Sequence, residues 1–237
     1  MQQRQKQPSK DVGFTFRDWG VVAIGDNLKT QTRRLMYPQP PRGLTVGNIS
    51  AEGQVLEWIL CDRHGDEVDA PCPQPRANVG DRIYVKETYQ EFCPMWSGQW
   101  CGHGDQEGMK RDHYIVYRVS DPDGALVWNG EVIHCKGWRS SRFMHKRCAR
   151  YFRLLTSVRA QRIQEITEED AVAEGCTMMA GYTAGGAMGL ASARYVYKKK
   201  WEEINGPGSW EQNAWVWAYG WAPGPPKPLP ARTEWMR

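Results

Sequence analysis

Alternating apolar and polar positions mark the strands. In Gly80–Glu87 (G-D-R-I-Y-V-K-E), Ile83 and Val85 alternate with Arg82, Tyr84 and Lys86 behind a turn, the two-residue period of a half-buried strand. Residues 114–119 (Y-I-V-Y-R-V) predict another. Residues 150–163 (R-Y-F-R-L-L-T-S-V-R-A-Q-R-I) predict one long strand or a bent pair, and 215–221 (W-V-W-A-Y-G-W) the last strand, with Trp215 and Trp217 packed on one face. Three segments read as helices. Residues 17–29 turn Trp19, Val22, Ala23 and Leu28 inward. Residues 166–175 (I-T-E-E-D-A-V-A-E-G) carry Thr167 as N-cap, Glu168, Glu169 and Asp170 against the positive end of the dipole, and Gly175 as the stop. Residues 192–204 (S-A-R-Y-V-Y-K-K-K-W-E-E-I) form the third helix, with Trp201 in the core and N-G-P-G ending it.

The intervening segments set the organisation. Residues 1–12 are polar and read as frayed. Thr30–Leu35 is a short element with Thr32 at its centre, ended by Pro38, Pro40 and Pro41. Residues 42–79 suggest a small hairpin insertion, and 92–112 read as loop. The Gly/Ala/Met stretch 176–190 reads as a mobile connection, and the Pro-rich tail after Pro223 as a linker or disordered end. Helices scattered among strands, without β-α alternation, predict an α+β fold with a small barrel. The expected organisation is one domain over 13–221 with long loop insertions at about 36–79 and 88–140, and a tail at 222–237.

Charge and cysteine usage then narrow the function classes. Across 237 residues, 31 Lys and Arg face 27 Asp and Glu, a net +4 that permits a polyanionic partner without requiring one. No apolar run approaches the ~18 residues of a membrane span, and no apolar segment follows the charged start, so a cytoplasmic, non-membrane protein is expected. Seven cysteines in such a chain should be reduced thiols. Cys61, Cys72, Cys93, Cys101 and Cys135 cluster with His64, His103, His113 and His134. Only Cys61 and His64 have the two-to-four-residue spacing of paired zinc ligands, so thiols in an irregular region, with no metal and no cofactor, are expected.

A basic stretch, residues 136–150 (K-G-W-R-S-S-R-F-M-H-K-R-C-A-R), interleaves cations with aromatic side chains. Lys136, Trp138, Arg139, Arg142, Lys146 and Arg147 are its candidates for nucleic-acid contact, the cations for phosphate and the ring for stacking. The alternative is a solvated basic loop.

Four blocks in order carry a family resemblance: L-K-T-Q-T-R-R from Leu28, G-D-R-I-Y-V-K-E-T from Gly80, V-R-A-Q-R-I-Q-E-I-T-E-E-D-A-V-A-E-G from Val158, and W-E-E-I-N-G-P-G-S-W-E-Q-N-A-W-V-W from Trp201. Together they cover about half the chain. The chain thereby resembles the ASCH domain, most closely its phage and prophage type. The resemblance implies a PUA-like small β-barrel with flanking helices, and a cleft for RNA, a nucleobase or a modified nucleoside. The superfamily includes a small bacterial amidohydrolase that deacetylates N4-acetylcytidine. Its catalytic lysine, threonine and glutamate fall on Lys29, Thr32 and Glu174, and the arginine of its first motif on Arg34. Asn27-Leu28 stands where that motif usually has Gly-Arg or Gly-Lys. An acid at the position of Glu87 is typical of the phage-type proteins.

The implied chemistry is sound in principle. A desolvated lysine can take a proton from a threonine hydroxyl, and a carboxylate can orient the lysine or return a proton to the leaving amine. Arg33 and Arg34 are adjacent in a strand, so one faces the cleft and the other solvent; with Glu87 they are the candidate substrate-binding residues. Each residue also has a structural reading. Lys29 would cap the first helix, Thr32 would be an ordinary strand residue, and Glu87 would pair with Arg33 or Arg34. Three function classes stay open: hydrolysis of an N4-acylated cytidine, RNA or modified-DNA binding without turnover, and a phage assembly accessory protein.

Overall fold

The computed structural model describes residues 10–51, 54–92, 114–128, 131–134, 137–177, 179–182 and 188–224. Through residue 92 the elements are β1 (Asp11–Thr15), α1 (Asp18–Gly25), β2 (Gln31–Leu35), β3 (Thr45–Ala51), β4 (Gln54–Cys61), β5 (Glu67–Val68), β6 (Arg82–Lys86) and β7 (Tyr89–Phe92). Then come β8 (Tyr114–Tyr117), β9 (Ala125–Trp128), β10 (Glu131–His134), β11 (Phe152–Arg162), α2 (Glu168–Ala173), β12 (Met179–Tyr182), β13 (Met188–Ala191), α3 (Ala193–Asn205) and β14 (Trp215–Trp221). The fold is mixed α+β. None of its helices is long and apolar enough to cross a membrane among the described residues.

The chain forms two compact units. The first holds residues 28–82 and 153–223. Its central strand, β14, pairs antiparallel with β11 on one side and β2 on the other, and all seven of its residues are buried. That double-sided burial explains its continuous aromatic and aliphatic sequence. β11 carries an irregularity between Leu155 and Ser157, the bend its length suggested. β3, β4 and β5 form a separate three-stranded sheet, one strand more than the expected hairpin.

The helices of this unit follow their sequence signals. Thr167 caps α2 by accepting from the Asp170 N–H at 3.1 Å, and Ser192 caps α3 by accepting from the Tyr195 N–H at 3.2 Å. α3 ends at Gly206, whose φ of 98° is open to glycine. Its buried residues Ala193, Val196, Tyr197 and Trp201 recur at helical spacing and pack with Ile163, Ile166 and Ala171 and with Val216 of β14. Burying a ring such as Trp201 contributes about 1.5–3 kcal/mol. The stretch 176–190 differs from its expectation: β12 and β13 pair as a hairpin in register Met179 with Ala191 and Tyr182 with Met188.

The second unit holds residues 11–27 and 83–152, with Gly224. β1 lies beside β6, β7 pairs with β8, and β9 with β10. β1 begins at Asp11, inside the segment expected to fray. α1 is shorter than its predicted span and turns a different face inward: Val21, Ala23 and Ile24 are buried, whereas Val22 is 47% and Leu28 57% exposed. Leu28 lies past the helix end, beyond Asn27, whose φ of 58° reverses the chain. β6 buries Ile83 and Val85, as its alternation predicted. Tyr89, Tyr117, Met144 and Cys148 make a second core cluster.

Candidate functional site

The end of α2 builds the first site. The Gly175 N–H donates to the Val172 carbonyl at 2.8 Å and the Cys176 N–H to the Ala171 carbonyl at 3.0 Å, with Gly175 at φ 81°. This is a Schellman stop, which leaves Glu174 as the C-cap residue. β2 enters against that end. The Thr30 N–H donates to the Ala173 carbonyl at 2.8 Å, and Lys29 Nζ donates to the Glu174 carbonyl at 2.9 Å and to the Glu174 carboxylate. Lys29 therefore caps a helix, but α2 instead of α1, because α1 ends at Gly25 and the chain turns away at Asn27.

The Lys29–Glu174 pair opens a longer network. Glu174 Oε1 also accepts from Arg33 Nη1 at 3.1 Å. Asp170 Oδ2 accepts from Arg33 Nη2 at 2.6 Å, and Asp170 Oδ1 from Arg159 Nη2 at 3.1 Å. Lys29 and Glu174 are each 2% exposed and Arg33 5%, so these charges interact in a low-dielectric setting. Burial pushes the Lys29 amine below its usual value, with Glu174 opposing the shift and Arg34 adding to it. Burial raises the Asp170 carboxyl, but Arg33 and Arg159 outweigh it and hold the group low.

Within β2, side chains alternate. Arg33 shares a face with Gln31, whereas Thr32 and Arg34 take the other, opposite Tyr219 and Trp217 of β14. Thr32 is buried, and among the described residues no hydrogen bond links it to Lys29 or Glu174. Of the three candidate catalytic residues, the structure joins Lys29 and Glu174. Arg34 does not stand in solvent opposite a buried Arg33: burial lowers its guanidinium, with Glu174 the nearest opposing charge and Arg76, Tyr197 and Tyr219 also near. Arg33 is buried and Arg34 half-buried, so neither stands fully in solvent.

Glu87 pairs with neither Arg33 nor Arg34. Its carboxylate accepts both Arg150 Nε, at 2.8 Å, and Nη2, at 2.7 Å, a two-pronged clamp. Arg150 also donates to Ser120 Oγ at 2.6 Å, and its guanidinium lies 4.2 Å from the Tyr117 ring centre. Glu87 is fully buried; burial raises its carboxyl while Arg150 opposes. The Glu87–Arg150 clamp is internal to the second unit.

The basic stretch is held from beneath. The Tyr89 hydroxyl donates to the Phe143 carbonyl at 3.2 Å, the Tyr117 hydroxyl to the Cys148 carbonyl at 2.9 Å, and the backbones of Tyr89 and Arg139 bridge. Cys148 Sγ bonds Glu91 at 2.8 Å, and burial together with Glu91 pushes this thiol up to about 12. Met144 and Cys148 point inward, leaving Arg142, Phe143, Lys146 and Arg147 exposed. Arg139 and Arg147 reach Glu91 at 3.5 and 3.8 Å. Trp138 is half-buried, and Lys136 lies outside the described residues. Lys86, Arg139, Arg142 and Lys146 line a cavity of about 440 Å³ with Tyr84 and Phe143.

Among the described residues no group of three or more His, Cys, Asp and Glu is arranged to hold a metal ion. Cys93, Cys101, His103, His113 and Cys135 lie outside them. No family model, curated protein or solved structure matches the chain.

Asp170, Arg159 and Lys86 are among the members of these sites that the sequence does not mark as site residues. Asp170 carried a usable signal. It stands four residues before Glu174, so both carboxylates face one neighbour from one side of α2. Arg159 and Lys86 had only strand alternation behind them, which does not say what crosses the sheet face.

Proposed function

We propose that this chain is an ASCH-type, PUA-like protein that recognises a modified nucleoside, with Lys29 and Glu174 at the centre of the site. One observation carries the reading. Two residues separated by 145 positions, selected by the resemblance alone, are joined through both carboxylate and backbone. Asn27 adds support: it adopts φ 58° where the family motif usually has glycine, the conformation that such a position needs.

The lowered Lys29 amine favours turnover over simple binding. The substrate class is an N4-acylated cytidine. Thr32 Oγ would attack the acyl carbon while Lys29 takes its proton. The C–N bond would break with that proton passed to the departing N4, and water would release the acyl group from Thr32. Binding without turnover is the second reading, favoured by the lack, among the described residues, of a hydrogen bond from Thr32 to either member of that pair.

Incubation with N4-acetylcytidine, followed by chromatography of the cytidine released, tests both. Lys29→Met and Thr32→Val should each lose hydrolysis by orders of magnitude while staying folded, and the double variant should be no worse than either, because base and nucleophile act as one unit. Retention of the nucleoside without hydrolysis decides for the binder. Neither retention nor hydrolysis refutes the proposal.

A further inference from the structure

The second unit carries a feature that the nucleoside reading does not use. Lys86 comes from β6, whereas Arg139, Arg142 and Lys146 come from the stretch that the Tyr89 and Tyr117 hydroxyls pin in place. Four cations thus line one cavity, contributed by two separate stretches of chain. Among the described residues, Asp11 pairs with Lys146 at 2.9 Å, and Glu91 with Arg139 at 3.5 Å. Arg142 makes no ion pair among the described residues, and its carbonyl instead accepts from Lys86 Nζ at 2.5 Å. The lining therefore keeps a positive excess. Phe143 stands beside it 62% exposed, a ring that burial in the core does not explain.

Shape selects among anions. A volume of about 440 Å³ lies in the range of small-ligand sites. It admits one base at a time, with the flanking backbone running along the cationic lining, and is too confined for the broad face of a duplex. An exposed ring next to phosphate-binding cations is useful only where a base is unstacked and can lie on it. The backbone geometry fits the same purpose. A Cβ on Gly13 would stand 2.6 Å from Tyr84 Cζ and 2.8 Å from Lys86 Cδ, so glycine there lets both side chains lie across β1 toward the cavity.

We propose that this cavity binds single-stranded nucleic acid, with Lys86, Arg142 and Lys146 on consecutive phosphates and a base stacked on Phe143. Lys146 exchanges Asp11 for phosphate on binding. The site is independent of the Lys29–Glu174 reading, since every residue belongs to the second unit.

The test is fluorescence anisotropy of the full chain with a labelled oligouridylate, at salt from about 50 to about 200 mM. Affinity should fall linearly on logarithmic axes, with a slope of about −0.7 for each phosphate neutralised. The double variant Arg142→Gln, Lys146→Gln should reduce the magnitude of that slope by about 1.4. Phe143→Ala should weaken binding about five- to 150-fold at every salt, with the slope unchanged. All three side chains are exposed, so thermal unfolding should match wild type and confirm the fold. The double variant should still retain or hydrolyse N4-acetylcytidine as wild type does, which separates this site from the nucleoside site. An unchanged slope in the double variant, equal affinity for a duplex of the same length, or displacement by inorganic phosphate at the concentration of competing chloride would each overturn the proposal.

Discussion

Removing one member of the Lys29–Glu174 pair should expose how far the two depend on each other. Lys29→Met deletes the donor to both the Glu174 carboxylate and the last α2 carbonyl, yet Glu174 keeps Arg33 at 3.1 Å. Breaking a buried pair from one side costs about 3–5 kcal/mol. The remaining Arg33 contact puts this variant at the lower end, about 3 kcal/mol. Glu174→Gln removes the carboxylate to which Lys29 donates and leaves Arg33 with Asp170, so about 3–5 kcal/mol is expected there. The double variant has neither the stranded carboxylate nor the stranded amine. Its loss should fall short of the sum by about 1–3 kcal/mol. Urea unfolding of the wild type, both single variants and the double gives the coupling directly, provided the urea dependence is unchanged across the four. Additivity within about 0.5 kcal/mol would refute the coupling, and with it the claim that the two side chains form one unit.

The pH dependence of Lys29→Met follows from the same burial. Because the folded amine titrates below the unfolded value, the unfolded chain binds the extra proton between those two values. Wild-type stability relative to the variant should therefore rise as pH climbs from the folded Lys29 value toward 10.5, and a flat or falling difference in urea midpoints would contradict it. Thr167→Ala should cost about 1 kcal/mol by removing the α2 cap, measured by thermal unfolding. Glu87→Gln should cost about 3–5 kcal/mol, since it strands a buried Arg150; a loss under about 1 kcal/mol would mean that the clamp is dispensable. Gly13→Ala should weaken oligonucleotide binding, by displacing Tyr84 and Lys86 from the cavity.

Local signals were legible where the physics is local. Thr167, the acidic first turn and Gly175 fixed both ends of α2 in advance, because capping depends on residues within one turn. The β12–β13 hairpin was not legible. Its Gly- and Ala-rich strands lack β-branched alternation, and Gly181 pairs with Gly189, so the ladder is set by pairing across the hairpin instead of by side-chain pattern. The alternation at Arg33 and Arg34 puts them on opposite faces, but nothing in the five residues of β2 says that Arg33 is buried and Arg34 half-buried. Glu87 shows the same limit: its spacing in G-D-R-I-Y-V-K-E marks a strand end, and its partner Arg150 lies 63 positions away. Lys29 and Glu174 became visible only through the order of four blocks, since no periodicity links positions so far apart.

Under the proposed reaction, the charge balance of the first network favours Lys29 over either carboxylate as the proton acceptor. Lys29, Arg33 and Arg159 supply three cations to two carboxylates, Glu174 and Asp170. With every group ionised the set carries one surplus positive charge, and Arg34 adds to the positive field at Lys29. Releasing a proton from Lys29 balances the set, because Arg33 still holds both carboxylates through separate nitrogens. Protonating Glu174 or Asp170 would instead enlarge the surplus. Guanidinium groups do not release protons in this range. Lys29 is thus the one member whose deprotonation relieves the buried field. The helix stop at Gly175 makes this possible, by turning the Glu174 carbonyl and carboxylate together toward the start of β2. A neutral Lys29 would retain its bond to the carbonyl while freeing a lone pair for the Thr32 hydroxyl proton of the proposed reaction.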